Sequence, residues 1–206
     1  MKVAIDDGHG MDTAGKRTPK FPDGSFMREN EFNREVAELL KIKLEELGIE
    51  TIMTAPGDTD IPLRQRTAAA NEAKADLFVS IHANAYKGVW GNHGGIETYH
   101  YYNSVKGKKA AQIIHKHLIK GTQLKDRGIK EAGFYVLKYT WMPAVLVECG
   151  FMDSLVDVKY LLSSDYRKKT AVKIANGICE YFGVDYLIDW EKKYNELIKK
   201  LEELIK

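Results

Sequence analysis

Four side chains of this 206-residue chain have the types and positions to do chemistry together: His9, Glu29, His82 and Glu148. His82 follows the apolar run Leu77-Phe78-Val79-Ser80-Ile81, which reads as a strand buried on both faces. His9 follows a shorter run over residues 2–5 and is flanked by Gly8 and Gly10, which let the backbone turn sharply. Glu148 ends Ala144-Val145-Leu146-Val147, and an acid finishing an apolar strand is costly unless it is paired or functional. Taken singly, His82 reads as a satisfied core histidine, His9 as part of a plain turn, and Glu29 as a helix-dipole partner. Taken together, they fall where strands of a parallel sheet end, on one rim. Two imidazoles and a carboxylate are a normal ligand set for a catalytic zinc, with a fourth position for water. Glu148 is then placed to move that water's proton. The set points to metal-assisted hydrolysis of an amide or ester and leaves the substrate open.

The elements that must position these groups follow from periodicity. Phe32, Val36, Leu39, Leu40, Leu44 and Leu47 predict a helix over residues 29–47, closed by Gly48. A strand is expected over 49–54, and a helix over 62–74 with Pro62 at its start and Asp60 as a cap. Arg64, Arg66 and Asn71 on that helix are expected in solvent. After the His82 strand comes a Gly-rich segment over 88–95, a strand over 96–102 and a helix over 104–120. Residues 125–131 read as a charged loop and 134–137 as a short strand. The strand ending at Glu148 follows, and then helices over 155–162 and 164–182. His93 and His100 are not read as ligands. His115 and His117 are two apart and cannot share a helix face. Residues 11–26 show no periodicity and are expected to form a flap beside the site.

The fold expected is single-domain α/β, with a mixed, mostly parallel twisted sheet and helices on both faces. The domain should span 1–183. Residues 184–206 should form an amphipathic helix, because Leu187, Trp190, Tyr194, Leu197, Leu201 and Leu204 alternate spacings of three and four. That helix would dock on the domain, pair two chains as a homodimer, or lead to another module. A hydrophobic share of 44% and a charged share of 29% fit a globular domain. The net charge of +2 is too small to imply nucleic acid, although a mild basic bias would help on an anionic polymer. No run reaches membrane-span length, and no apolar signal region precedes the first strand. Cys149 and Cys179 make no disulfide framework and are expected to be small buried hydrophobes.

Several motifs also carry a family resemblance. Asp7-Gly8-His9-Gly10, Glu29 with Asn33, Ser80-Ile81-His82-Ala83-Asn84 and Pro143-Ala144-Val145-Leu146-Val147-Glu148-Cys149-Gly150-Phe151 resemble the zinc-dependent N-acetylmuramoyl-L-alanine amidases of autolysins and phage endolysins. The resemblance runs from about residue 2 to 182. It implies one zinc per chain held by His9, Glu29 and His82, with Glu148 as the catalytic acid/base. The reaction implied is cleavage between the lactyl group of N-acetylmuramic acid and L-alanine, on the glycan and stem peptide of bacterial peptidoglycan. Arg66 and Asn71 match a family helix motif, taken as structural. Asp7 and Met11 stand where the family commonly has proline and glycine, and Asn30 where it often has lysine; these bear on loop shape and substrate fit. Localisation follows as a protein made in the cytoplasm without an N-terminal signal peptide and acting at the wall after release. The alternatives are a catalytically inactive wall-binding module, or a zinc hydrolase for another amide.

Overall fold

The computed structural model describes residues 1–185. Six strands, β1 (Lys2–Asp7), β2 (Glu50–Met53), β3 (Leu77–Asn84), β4 (Ile96–His100), β5 (Asp126–Glu131) and β6 (Ala144–Phe151), form one sheet in the order β2-β1-β3-β6-β4-β5. The first four in that order run parallel; β4 lies antiparallel to β6, and β5 is parallel to β4. The helices are α1 (Glu29–Glu46), α2 (Leu63–Glu72), α3 (Val105–Lys120), α4 (Tyr135–Lys138), α5 (Asp157–Leu161) and α6 (Ser164–Phe182). No helix among the described residues is long and apolar enough to cross a membrane. The expected amphipathic helix over 184–206 lies almost wholly outside the described residues.

Chain direction decides where chemistry can sit. From β1 the chain goes one way along the sheet to β2, and from β2 it returns past β1 to β3. Right-handed crossovers in opposite directions put α1 and α2 on opposite faces and open a crevice between the carboxyl ends of β1 and β3. The core divides accordingly. Val3, Ile5, Leu77, Val79, Ile81, Val145 and Val147 pack against α1, α3 and α6. Ala4, Phe78, Ala144 and Leu146 pack with α2 and α4 in a smaller cluster. Alternation along each strand then sends Asp6, Ser80, His82 and Glu148 to the α2 and α4 side.

Several expectations are corrected here. Residues 125–131 form the edge strand β5 instead of a loop; it is marked by charge, which edges carry to discourage pairing. Residues 134–137, expected as a strand, begin the single-turn helix α4, a length at which periodicity cannot separate the two. Asp60 does not cap α2, whose first flanking residue is Pro62; it accepts from Arg66 and from Thr13 instead. Arg66 is 1% exposed, not solvated. Its guanidinium reaches back to Asp6 and to the carbonyls of Ile61, Asp7 and His9, so α2 is riveted to the rim of β1. Cys149 and Cys179 are free and buried, as expected.

Candidate metal centre

The three expected ligands converge. One ligand atom from each of His9, Glu29 and His82 lies within 4.8 Å of the others. His82 Nδ1 is 2.9 Å from Glu29 Oε1, and His9 Nε2 is 3.4 Å from Glu29 Oε2. Glu29 opens α1 but turns inward, 2% exposed, over the sheet edge. Its backbone N–H bonds to Lys16 O, and Asn33, one turn on, donates to both Glu29 Oε1 and Gly8 O. Asn30 donates to the carbonyls of Asp7, Gly8 and His9, so the start of α1 holds the His9 turn from beneath. His9 itself adopts a left-handed backbone with φ of 63°. Gly8 is needed for room: a Cβ there would meet His82 Cε1 at 2.1 Å.

A second set of residues, which the sequence reading passed over, fixes His82. Ser80 Oγ lies 3.0 Å from His82 Nε2 and donates to Asp6 Oδ2 at 2.5 Å. Asp6 Oδ1 accepts from Arg66 and Thr54. Asp6, Ser80 and Arg66 are all buried. The signal for them was available: Asp6, Ser80 and His82 share strand parity with Glu148, so parallel pairing places them on one face.

Glu148 is paired with His82 across β3 and β6, and with Glu97 across β6 and β4. Its Oε2 is buried and has no hydrogen-bond partner among the described residues. Burial raises its pKa to about 8; the nearby His82 works against this, while Glu29 and Glu97 add to it. Glu97 is itself held by Arg127, Lys130 and Tyr99. Burial pushes His9 down to about 4, so its imidazole is neutral at neutral pH. Burial also disfavours charge on His82 and Glu29, but their mutual hydrogen bond outweighs it, raising the histidine and lowering the acid. Two imidazoles and a buried carboxylate drawn this close are suited to a dication, which would take the place of the proton they share.

The other histidines are each held by a hydrogen bond. His93 bonds Asp153, His100 the Tyr101 carbonyl, His115 Thr98 and Asp126, and His117 Glu180. Among known proteins, the N-acetylmuramoyl-L-alanine amidase family matches residues 3–180. The chain belongs to this family. It is 37% identical over 182 residues to YqiI of Bacillus subtilis, covering 87% of this chain and 84% of that protein. It is 36% identical over 182 residues to the N-acetylmuramoyl-L-alanine amidase LytC of Bacillus subtilis, covering 87% of this chain but 35% of LytC. The catalytic domain of the amidase CwlV from Paenibacillus polymyxa superposes with a TM-score of 0.80 at 34% identity, covering 89% of this chain and 99% of that domain.

Two hollows flank the centre of this amidase-family domain. One, of about 650 Å³, runs from His9, His82 and Glu148 to an apolar wall of Ile61, Leu63, Phe134 and Tyr135. The other, about 250 Å³, lies between the 11–26 loop and Asn84, with Glu29, His82 and Glu148 on its floor. Lys16 borders both. The flap expected over 11–26 is tied to the 85–95 loop, where Trp90 Nε1 donates to Lys20 O at 3.1 Å and stacks near Phe21. The 85–95 loop in turn hangs on Asp153, whose carboxylate accepts from the backbone N–H of Tyr86, Lys87 and Gly88 and pairs with His93.

Proposed function

We propose that this domain hydrolyses the amide between the lactyl group of N-acetylmuramic acid and L-alanine in peptidoglycan, with one zinc ion held by His9, Glu29 and His82. The observation that carries this reading is the ligand triad within 4.8 Å, with Glu148 registered beside it and one carboxylate oxygen unpartnered among the described residues. Zinc, when bound, supplies Lewis acidity, making a water more acidic and polarising a carbonyl.

The chain's own groups do the rest. Glu148 takes the proton from the attacking water and gives it to the departing alanine amine, so the proton ends on the product and the carboxylate is regenerated. Burial in β6 suits the second half of that shuttle, because it favours the protonated carboxyl that must hand the proton on, while a dication beside it would favour the carboxylate that first accepts it. The two hollows leave room for substrate on both sides of the scissile bond, glycan on one and stem peptide on the other, and the clasped loops over 11–26 and 85–95 wall the groove. Action at the bacterial cell wall fits this substrate.

The test is release of new N-terminal alanine from purified peptidoglycan by zinc-loaded protein, by chelated protein and by a zinc-loaded Glu148→Ala variant. The loaded wild type should release alanine and the chelated protein none. Glu148→Ala should bind zinc equally yet lose about 10²–10⁴-fold in rate. Absence of alanine release from several wall types, with zinc bound, would overturn the reading and leave the domain as a wall-binding module.

A further inference from the structure

The charge of this molecule is segregated. Helices α3 and α6, which lie together on one face, carry nine lysines and arginines against two acids, in a chain whose net charge is +2. Part of that excess is neutralised: Arg167 pairs with Glu35 of α1, and Lys116 with Glu180. Of the remainder, four are gathered where the end of α3 meets the first turns of α6. There Lys120, Lys168, Lys169 and Lys173 border a hollow of about 490 Å³. None of the four is paired with a carboxylate among the described residues. Crowding like charges is unfavourable by itself, and an anion seated among them relieves it.

The place is also shaped. Gly121 ends α3 with φ of −96°, a conformation open to any residue, so its backbone does not require glycine. What the missing side chain permits is the passage of Lys173, since a Cβ at Gly121 would lie 2.6 Å from Lys173 Cγ. A second hollow, bordered by Lys120, Lys169, Thr122, Ser163, Tyr160 and Asp165, continues the first to the start of α6. The two share Lys120, Gly121 and Lys169, and so make one elongated groove. Because β4 runs against β6, α3 returns toward the rim where β6 ends, and α6 starts just beyond it. The groove therefore lies on the helical face at the same end of the molecule as the metal ligands.

We propose that this groove binds a linear phosphodiester polyanion carried by the wall, a polyol phosphate chain, and so holds the domain on its substrate. The wall as location rests on the proposed hydrolysis; the anion class rests on the groove. Lysine binds phosphate as a point charge without a fixed fork, so four ammonium groups along one groove suit singly charged phosphates spaced along a chain.

The test is sedimentation of the zinc-loaded protein with purified walls, before and after hydrofluoric acid strips their phosphodiester polymers, in a Glu148→Ala background that leaves the walls intact. A variant with Lys120, Lys168, Lys169 and Lys173 all changed to glutamine is compared with a Lys41→Gln, Lys43→Gln control on α1. Titrations with soluble poly(glycerol phosphate), polyglutamate and duplex DNA run in parallel. The expected result is binding to native walls and to the polyol phosphate that weakens with salt, falls about tenfold or more in the four-lysine variant, and is unchanged in the control. Stripped walls should hold wild type no better than the variant. With Glu148 restored, alanine release from a soluble muropeptide should be the same with and without the four lysines. Equal retention of variant and wild type on native walls, undiminished binding to stripped walls, or polyglutamate or DNA bound as tightly as the polyol phosphate would each overturn the proposal. Loss of alanine release with the wall pattern intact would overturn the hydrolytic reading alone.

Discussion

Ser80 has one hydroxyl proton and spends it on Asp6, so toward His82 it can only accept. That makes His82 Nε2 a donor, so that Nδ1, which shares a proton with Glu29, is the ring nitrogen that would give up its proton and offer a lone pair to a bound zinc. Ser80→Ala should therefore weaken zinc binding about 10–100-fold, measured by competition with a chromophoric chelator, while the circular dichroism stays native. An unchanged zinc affinity would reduce Ser80 to packing. Glu97 gives a residue-scale test with a pH sign. Burial alone would raise its pKa, but bonds from Lys130, Tyr99 and Arg127 outweigh burial and bring it below the ordinary value. A depressed carboxylate contributes stability above its unfolded pKa and loses it as pH falls through the folded one. Glu97→Gln should cost about 1–2 kcal/mol at pH 7, discounted because Arg127 and Lys130 remain partly in water. In urea titrations the gap should close as pH drops through the carboxylate range; a gap constant from pH 7 to 3 would contradict the assignment.

At the scale of elements, the groove walls depend on one acid outside any helix or strand. Asp153 is fully buried and accepts three backbone N–H bonds from the 85–95 loop besides pairing with His93. Those bonds hold its pKa below the usual carboxylate value against the effect of burial. Asp153→Ala leaves these donors without their acceptor, and because Trp90 ties the 85–95 loop to the 11–26 loop, both walls should loosen. Hydrogen exchange should quicken over 85–93, and KM should rise more than kcat falls, with zinc affinity unchanged. Unaltered exchange there would show that the loop is held by its aromatic contacts instead.

For the whole molecule, the candidate metal centre draws on the first strand's end, the first helix and the third strand, so a zinc bound there should stabilise the entire domain. At a zinc concentration about 1,000 times Kd the gain is ~4 kcal/mol, or about 10 °C in Tm for a domain of this size. Calorimetry should show that gain in wild type, its reversal by chelator and its absence in His9→Ala. It should also shrink as pH falls, because the ligands must be deprotonated to bind. A Tm indifferent to zinc would mean that the triad is held together by its own hydrogen bonds alone.

The sequence by itself picked out the cluster of His9, Glu29 and His82, the placing of Glu148 beside it, the α/β class and most helices, because these are written in local pattern: an apolar run marks a strand, and the polar residues toward its end reach the rim. It left three things to the tertiary structure. Arg66 looks solvated on α2, and only the packing of that helix against β1 buries it among Asp6, Asp60 and three carbonyls. Ser80 and Asp6 look like strand filler, and only the register of β1 with β3 sets one against the other. Residues 125–131 lack an apolar run because an edge strand can be largely polar; pairing with β4 makes them a strand. In each case the deciding contact joins segments far apart in the chain, which periodicity along one segment cannot report.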